Sequence, residues 1–389
     1  MRAICYHGVN DLRVETVDDP KILRPNDAIV RVKMSSVCGS DLHLIGGYVP
    51  TMHRGDILGH EFLGEIVETG AEVKRLSRGD RVIVCSLIGC GHCDYCKRDL
   101  WSLCDNSNPN HARMDMLLGD TIAGVFGYSH LTGGYPGSHA DYVRVPFADY
   151  NAFKVPEGIP DESAVFASDA LPTGFMGADL CNIKPGDVVA VWGCGGVGQM
   201  AIRSAYILGA SRVIAIDRYP ERLRLAREKA GAEVLNYEEV EVLESLREMT
   251  AGRGPDACID AVGMEADTTG LTDVYDRMKQ RLRLETDRPT VLRQAIHACR
   301  KGGTVSVMGV YVGAVDKFPM GTLMNKALTI RSGQQHGQRY VPRLFELMSQ
   351  GQIDPSYLLT HRLSLEEGPR GYKLFKEKEE NCMRVVFSP

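Results

Sequence analysis

Short runs in which apolar and polar residues alternate fill the first 150 or so positions: AIVRVKM, EFLGEIVETG, DRVIVCSL and ADYVRVP, separated by glycine-rich turns. A period of two turns one face of each run inward and the other toward water, so this stretch predicts small, turn-rich β-structure. From about residue 186 the pattern changes. The apolar segments DVVAVWG, RVIAID and EVLNY are separated by QMAIRSAYILGA and ERLRLAREKAGA, whose apolar residues recur at helical spacing. DACIDAV, TVSVMGV and ALTIRSG continue the strand series. Strands alternating with helices predict β-α-β units, which right-handed crossovers gather into one doubly wound parallel sheet. The predicted fold class is α/β, a Rossmann doubly wound sheet joined to a mostly-β domain.

After about residue 335 the alternation stops. A helix near YVPRLFELMSQG, the run THRLSL, a further helix and a terminal strand CMRVVFSP are expected to return to the first domain. The expected division is residues 1–153 with 335–389 for the mostly-β domain, and 154–334 for the Rossmann domain. Between Gly263 and Thr290 lies a polar insert, MEADTTGLTDVYDRMKQRLRLETDRP, longer than most loops of compact α/β units. It is expected to shape the active site or an oligomer contact.

Composition narrows the class. A length of 389 residues exceeds what one hydrophobic core serves, which agrees with two domains. With 44% hydrophobic and 24% charged residues the chain is neither disordered nor fibrous, and a net charge of −5 gives it no electrostatic reason to bind nucleic acid or an anionic membrane. No run approaches the roughly 20 apolar residues that span a bilayer. The segment MRAICYHGVNDLRVETVDD lacks the features of a secretory signal and looks like the start of a strand. A cytoplasmic location is expected. Twelve cysteines in that setting point to metal binding before disulfides.

The strongest local signal is GCGHCDYCKRDLWSLC, which spaces Cys90, Cys93, Cys96 and Cys104 as C-x2-C-x2-C-x7-C. Four thiolates in one loop suit a closed tetrahedral zinc site with no position left for substrate, hence a structural zinc. An iron–sulfur cluster is the competing reading. A second set is scattered: Cys38, Ser40, Asp41 and His43 in SVCGSDLH, His60 and Glu61 in GHEFLGEIVETG, and Asp169 in FASDALPTG. The turn VWGCGGVGQM places Gly193, Gly195 and Gly198 as G-x-G-x-x-G, with Gly196 and Val197 inside it, between a predicted strand and a predicted helix. Glycines allow the tight turn and the close approach of a pyrophosphate to the helix N-terminus. Asp217, 19 residues beyond Gly198, ends the second strand, where a carboxylate accepts from the ribose hydroxyls and repels a 2′-phosphate. NAD is favoured over NADP, although Arg218 follows directly.

Together these motifs resemble the zinc-containing medium-chain alcohol dehydrogenases over essentially the whole chain. The resemblance rests on C-x-S-D-x-H, on G-H-E-x2-G-x5-G-x2-V from Gly59 to Val73, on G-D-R-V at Gly79 to Val82, on the four-cysteine loop and on the glycine turn. Within that family the formaldehyde-dehydrogenase-like branch is most similar, through FGYSHLTGGYPGSHADYVRVP, SDALPTG, LETDRP and MGVYVGAVDKFPMG.

The resemblance implies a GroES-like catalytic domain and two zinc ions per chain. Cys38, His60 and Asp169 would hold the catalytic zinc, Asp169 standing where many relatives have cysteine or glutamate. Glu61 would lie behind that metal and Asp41 would orient His60. Thr173 and Val262 would adjoin the nicotinamide, Val197 the pyrophosphate and Arg222 the adenosine. The expected reaction moves a hydride from an alcohol or aldehyde hydrate to NAD, with Ser40, a cofactor ribose hydroxyl and His43 relaying the proton to solvent.

Formaldehyde hydrate, another primary alcohol and a polyol all fit such a site as substrate, and tightly held NAD would permit aldehyde dismutation. A non-catalytic NAD-binding sensor or structural protein is the alternative from another class. It has no reason to keep Cys38, Ser40, His60 and Asp169 together. A zinc-free quinone or enoyl reductase would generally lack the four-cysteine loop. The expected partners are a small-molecule substrate and further copies of the chain, as a homodimer or homotetramer whose sheet edges near VSVMGV pair across a two-fold axis.

Overall fold

The alternating run AIVRVKMSS forms the strand Ala28–Ser36, on which the first unit is built. It pairs antiparallel with Glu61–Thr69, Tyr142–Val145 and the C-terminal strand Arg384–Ser388. Arg81–Val84 and Ala152–Lys154 extend the sheet beyond Glu61–Thr69, and Leu359–Ser364 lies parallel to Arg384–Ser388. Its inward residues make a core of Val30, Val32, Phe62, Ile66, Val82 and Val84, into which Phe126 inserts edge-on to Phe62 with ring centroids 5.6 Å apart. Each such aromatic ring, removed from water, contributes about 2–3 kcal/mol.

The structure is a computed structural model that describes residues 1–49, 51–264, 288–311, 313 and 315–389. Most of the polar insert expected to shape the active site or an oligomer contact lies outside the described residues. The chain divides into a unit of Met1–Pro172 with Gln335–Pro389 and a unit of Thr173–Gln334. The first unit runs past residue 153, where the sequence placed its end. The segment after Ala152–Lys154 stays on the sheet: the Ser168 carbonyl accepts from Ser86 N–H at 3.3 Å, and Arg81 Nη1 donates to Asp161 at 2.8 Å.

In the second unit six parallel strands run in the order Glu233–Asn236, Arg212–Asp217, Val188–Trp192, Ala257–Asp260, Thr304–Val307 and Thr329–Ser332. This is the doubly wound order, with a reversal beside Val188–Trp192. The expectation that the run near VSVMGV forms a sheet edge is corrected. Thr304–Val307 has a strand on each side, so its backbone groups are spent within the sheet. The outer strand on that side is Thr329–Ser332, which is mostly exposed. No helix among the described residues is long and apolar enough to cross a membrane.

Buried polar contacts fix the C-terminal return. Gln335 Nε2 donates to Ser86 Oγ at 2.8 Å, Gln338 Nε2 to the Leu87 carbonyl at 2.7 Å, and Ser102 N–H donates to His336 Nδ1 at 3.3 Å. Burial, with Arg339 nearby, pushes His336 down to about 4 from the usual 6.5. As pH falls, the unfolded chain therefore takes up this proton first. The stability that neutral His336 contributes is complete above pH 6.5 and is lost as pH falls toward 4. His336→Asn keeps an acceptor for Ser102 but cannot titrate. We expect the variant to lose roughly 2 kcal/mol less stability than wild type between pH 7 and pH 5 in urea unfolding. Parallel curves for the two proteins would rule this out.

Candidate active site

Sheet register brings the first set of residues together. Ser36 lies opposite Glu61, so Cys38, just past the end of Ala28–Ser36, and His60, just before Glu61–Thr69, emerge at the same end of neighbouring strands. Cys38 caps the helix Gly39–Ile45 in an extended conformation, and its N–H donates to Asp41 Oδ2 at 2.9 Å. Asp169 follows the turn Val165–Ser168, which Ser86 ties to the strand Arg81–Val84. One sulfur, one ring nitrogen and one carboxylate oxygen from Cys38, His60 and Asp169 lie within 4.8 Å of one another, and His60 Nε2 is 3.3 Å from Asp169 Oδ2. A tetrahedral zinc with N and O bonds of about 2.0–2.2 Å separates two such ligands by about 3.3 Å. The set fits zinc and leaves a fourth position.

Asp41 Oδ1 stands 3.2 Å from His60 Nδ1, which turns Nε2 toward Cys38 and Asp169. Burial alone would push the Asp41 carboxyl up, but the charge and hydrogen bond of His60 outweigh it and hold it below the usual range. Carboxylates in this position typically improve metal affinity or activity 10–100-fold. Asp41→Asn is accordingly expected to weaken zinc retention against a chelator, or kcat, by about that factor; retention and kcat both at wild-type level would contradict the orientation. His139, which the sequence reading missed, stands 4.0 Å from Asp41 Oδ2 through Nε2 and hydrogen-bonds Ser35 Oγ at 2.8 Å through Nδ1. Burial pushes it down to about 4, so a neutral ring backs the carboxylate.

Glu61 is wholly buried, and burial pushes it up to about 7 although Arg384 pulls the other way. Its Oε1 accepts from Ala170 N–H at 2.9 Å and its Oε2 from Arg384 Nη1 at 3.1 Å. Both oxygens thus hold the backbone next to Asp169 and the C-terminal strand. Arg384 also donates to the Val37 carbonyl, next to Cys38. Nothing in the sequence marked Arg384, because its partners are more than 300 residues away. Ser40 Oγ lies 3.2 Å from His60 Nε2, beside the Cys38, His60 and Asp169 set. His43 follows on the same helix. It is buried.

The four-cysteine loop is also assembled. The sulfurs of Cys90, Cys93, Cys96 and Cys104 lie within 4.8 Å of one another, with Cys93 and Cys104 4.0 Å apart. Zinc–sulfur bonds of about 2.3 Å put tetrahedral sulfurs about 3.8 Å apart. The N–H groups of His92 and Cys93 point at Cys90 Sγ, those of Cys96 and Cys90 at Cys93 and Cys104 Sγ, at 3.3–3.5 Å. Such donors stabilise thiolates. Asn151 roots the loop, bonding Gly89 through both its carbonyl and its amide. All twelve cysteines are free and buried.

In the second unit Gly193 takes φ +87°, and a Cβ on Gly198 would meet the Gly193 carbonyl at 1.7 Å, so only glycine lets the helix Gly196–Ile207 start this close to the strand. Gly195 caps that helix. Val262 packs on Gly193, and Gly174, next to Thr173, lies against the Val197 carbonyl. Asp217 Oδ2 accepts from Cys194 N–H and Oδ1 from Arg218 N–H, both at 2.7 Å, so the carboxylate also braces the turn. Arg218 faces Glu238 at 3.7 Å and lies over the Tyr219 ring, as does Arg222.

Residues 24–157 match the family model described as alcohol dehydrogenase GroES-like domain, and residues 196–275 that described as zinc-binding dehydrogenase. The chain is 42% identical to the uncharacterized zinc-type alcohol dehydrogenase-like protein AdhB of Bacillus subtilis, over 100% of both chains. It is 33% identical to the formaldehyde dismutase of Pseudomonas putida, over 96% of this chain and 94% of the relative. Among solved structures, the alcohol dehydrogenase TADH from Thermus sp. ATN1 is similar at a TM-score of 0.85 and 35% identity, covering 100% of this chain and 99% of that one.

Proposed function

Because the chain belongs to the zinc-type alcohol dehydrogenases, we propose that it is an NAD-linked oxidoreductase acting on a small primary alcohol or aldehyde hydrate, with formaldehyde hydrate foremost. The observation that carries this reading is the buried Cys38, His60 and Asp169 set, oriented by Asp41, with Ser40 Oγ beside the open ligand position. Zinc held there supplies a Lewis acid for the substrate oxygen. Ser40 both donates and accepts, so its hydroxyl takes the substrate proton, and His43, one turn further along the helix, carries it away. Cys90, Cys93, Cys96 and Cys104 would hold a second, structural zinc.

The glycine turn at Gly193–Gly198 would receive the pyrophosphate of NAD, with Thr173, Val197, Arg222 and Val262 around the cofactor. Asp217 supports NAD, since a carboxylate at the end of the second strand repels a 2′-phosphate, and Glu238 balances the charge of Arg218. The formaldehyde preference draws on the sequence motifs and on the likeness to the Pseudomonas putida dismutase. That likeness also favours a second reading, dismutation with NAD retained between turnovers. The reading includes a homo-oligomer, for which the outer strand Thr329–Ser332 offers a pairing edge.

The test is NADH formation by zinc-loaded protein given NAD or NADP and, separately, formaldehyde with and without glutathione, ethanol, a longer primary alcohol and a polyol. We expect turnover with NAD and formaldehyde alone. Activity confined to another alcohol would move the substrate, and silence across the panel with both zinc sites filled, together with no methanol or formate formed from formaldehyde, would end the formaldehyde reading. Equal yields of methanol and formate from formaldehyde without added NAD would establish dismutation.

A further inference from the structure

Apart from the two ligand sets described above, His53, Asp56 and His130 form a third group whose ligand atoms all lie within 4.8 Å of one another. They come from two turns of the first unit. Asp56 Oδ2 accepts from His53 N–H at 2.7 Å, which closes the turn before the short strand Asp56–Ile57. The second turn is His130–Thr132. Its His130 N–H donates to the Thr51 carbonyl at 3.3 Å and Leu131 N–H to Thr51 Oγ1 at 3.1 Å, so the two turns lie side by side. The second Asp56 oxygen, Oδ1, stands 3.1 Å from His130 Nε2, and the two imidazoles stack with centroids 3.9 Å apart at 25°.

We propose that His53, Asp56 and His130 form a further metal site, for a divalent cation of borderline softness, Zn²⁺ foremost. Two imidazole nitrogens and one carboxylate oxygen are the donor set such an ion prefers over the all-oxygen shells of Mg²⁺ and Ca²⁺. The 3.1 Å between Asp56 Oδ1 and His130 Nε2 is close to the roughly 3.3 Å edge of a tetrahedral zinc site. His53 is exposed, which lets its ring turn out of the stack to aim a nitrogen at an ion entering from solution, with water as the fourth ligand. A plain hydrogen-bonded staple between the turns would need Asp56 and His130 but not His53. Both turns border the set built on Cys38, His60 and Asp169. Asp56 is four residues before His60, and Tyr128, whose ring meets that of His60 edge-on at 6.3 Å, is two before His130. An ion that joins the turns therefore stiffens the surroundings of His60. The inference does not depend on the proposed substrate or on NAD.

The experiment equilibrates the full chain, as purified with its tightly held metal, with Zn²⁺ against a colorimetric chelator, and counts bound zinc per chain in wild type, His53→Ala and Asp56→Asn. Asp56→Asn keeps an acceptor for His53 N–H while removing the charge that a metal ligand supplies. Wild type is expected to bind one more zinc per chain than either variant. Added Zn²⁺ is expected to raise the melting temperature of wild type only. His53 is exposed, so its truncation leaves the fold intact, and matching melting temperatures of wild type and His53→Ala without added zinc check this. Equal zinc in wild type and both variants would overturn the proposal. So would a loss in Asp56→Asn that His53→Ala does not share, because that outcome describes a staple and not a three-ligand site.

Discussion

Cys38→Ala is expected to lose one zinc per chain and to lower kcat at least about a thousandfold, while the four-cysteine loop keeps its own ion. Cys38 is one of three candidate ligands that converge within 4.8 Å, and losing the Lewis acid they would hold forfeits several kcal/mol of stabilisation of the developing oxyanion, at 1.36 kcal/mol for each factor of ten. Asp169→Asn keeps the shape of the third ligand and removes its charge, so an intermediate loss is expected. Zinc analysis beside steady-state kinetics checks both, and full activity of Cys38→Ala at unchanged zinc content would remove this site from catalysis. Because Cys38 also caps the helix Gly39–Ile45, a melting curve must accompany the measurement.

The second large effect is on stability. Cys96→Ala is expected to release the ion of the four-cysteine loop and to lower stability by several kcal/mol, since four-thiolate sites contribute on the order of 10 kcal/mol to the folds that close around them. A folded domain retains only about 5–15 kcal/mol in total. The variant should therefore melt far below wild type or collect in the insoluble fraction. The four sulfurs are part of the same buried cluster as Phe62, Val84 and Phe126, which carries the loss into the core. A chelator that strips this zinc from wild type should reproduce the effect. A variant that melts within a few degrees of wild type would show that the loop stands without metal.

The parts of the molecule legible in the chain were those whose physics is local. All six strands of the second unit follow the predicted apolar runs, because each was marked by residues adjacent in sequence. The four-cysteine loop and the glycine turn were legible for the same reason: their partners stand within about 15 residues of one another. Cys38, His60 and Asp169 are spread over more than 130 positions, and only the resemblance to a family made them a set. Arg384 carried no signal at all, and His139 stood in FGYSHLTGGYPGSHADYVRVP with nothing to set it apart as a site residue. A lone arginine in CMRVVFSP reads as an ordinary strand residue until that strand is seen to pair with Ala28–Ser36.

Periodicity, turn chemistry and ligand spacing by themselves determined the two architectures, the zinc loop and the dinucleotide turn, since each depends on interactions between near neighbours in the chain. Tertiary structure alone decided that His139 backs Asp41, that Glu61 is engaged by Arg384 and Ala170, that the first unit runs on to Pro172, that Thr329–Ser332 and not Thr304–Val307 forms the outer strand, and that His53 meets His130. Those outcomes depend on which distant strands pair and in what register. A one-residue slip reverses every side chain in a strand, so such contacts exist only once the whole sheet is in place.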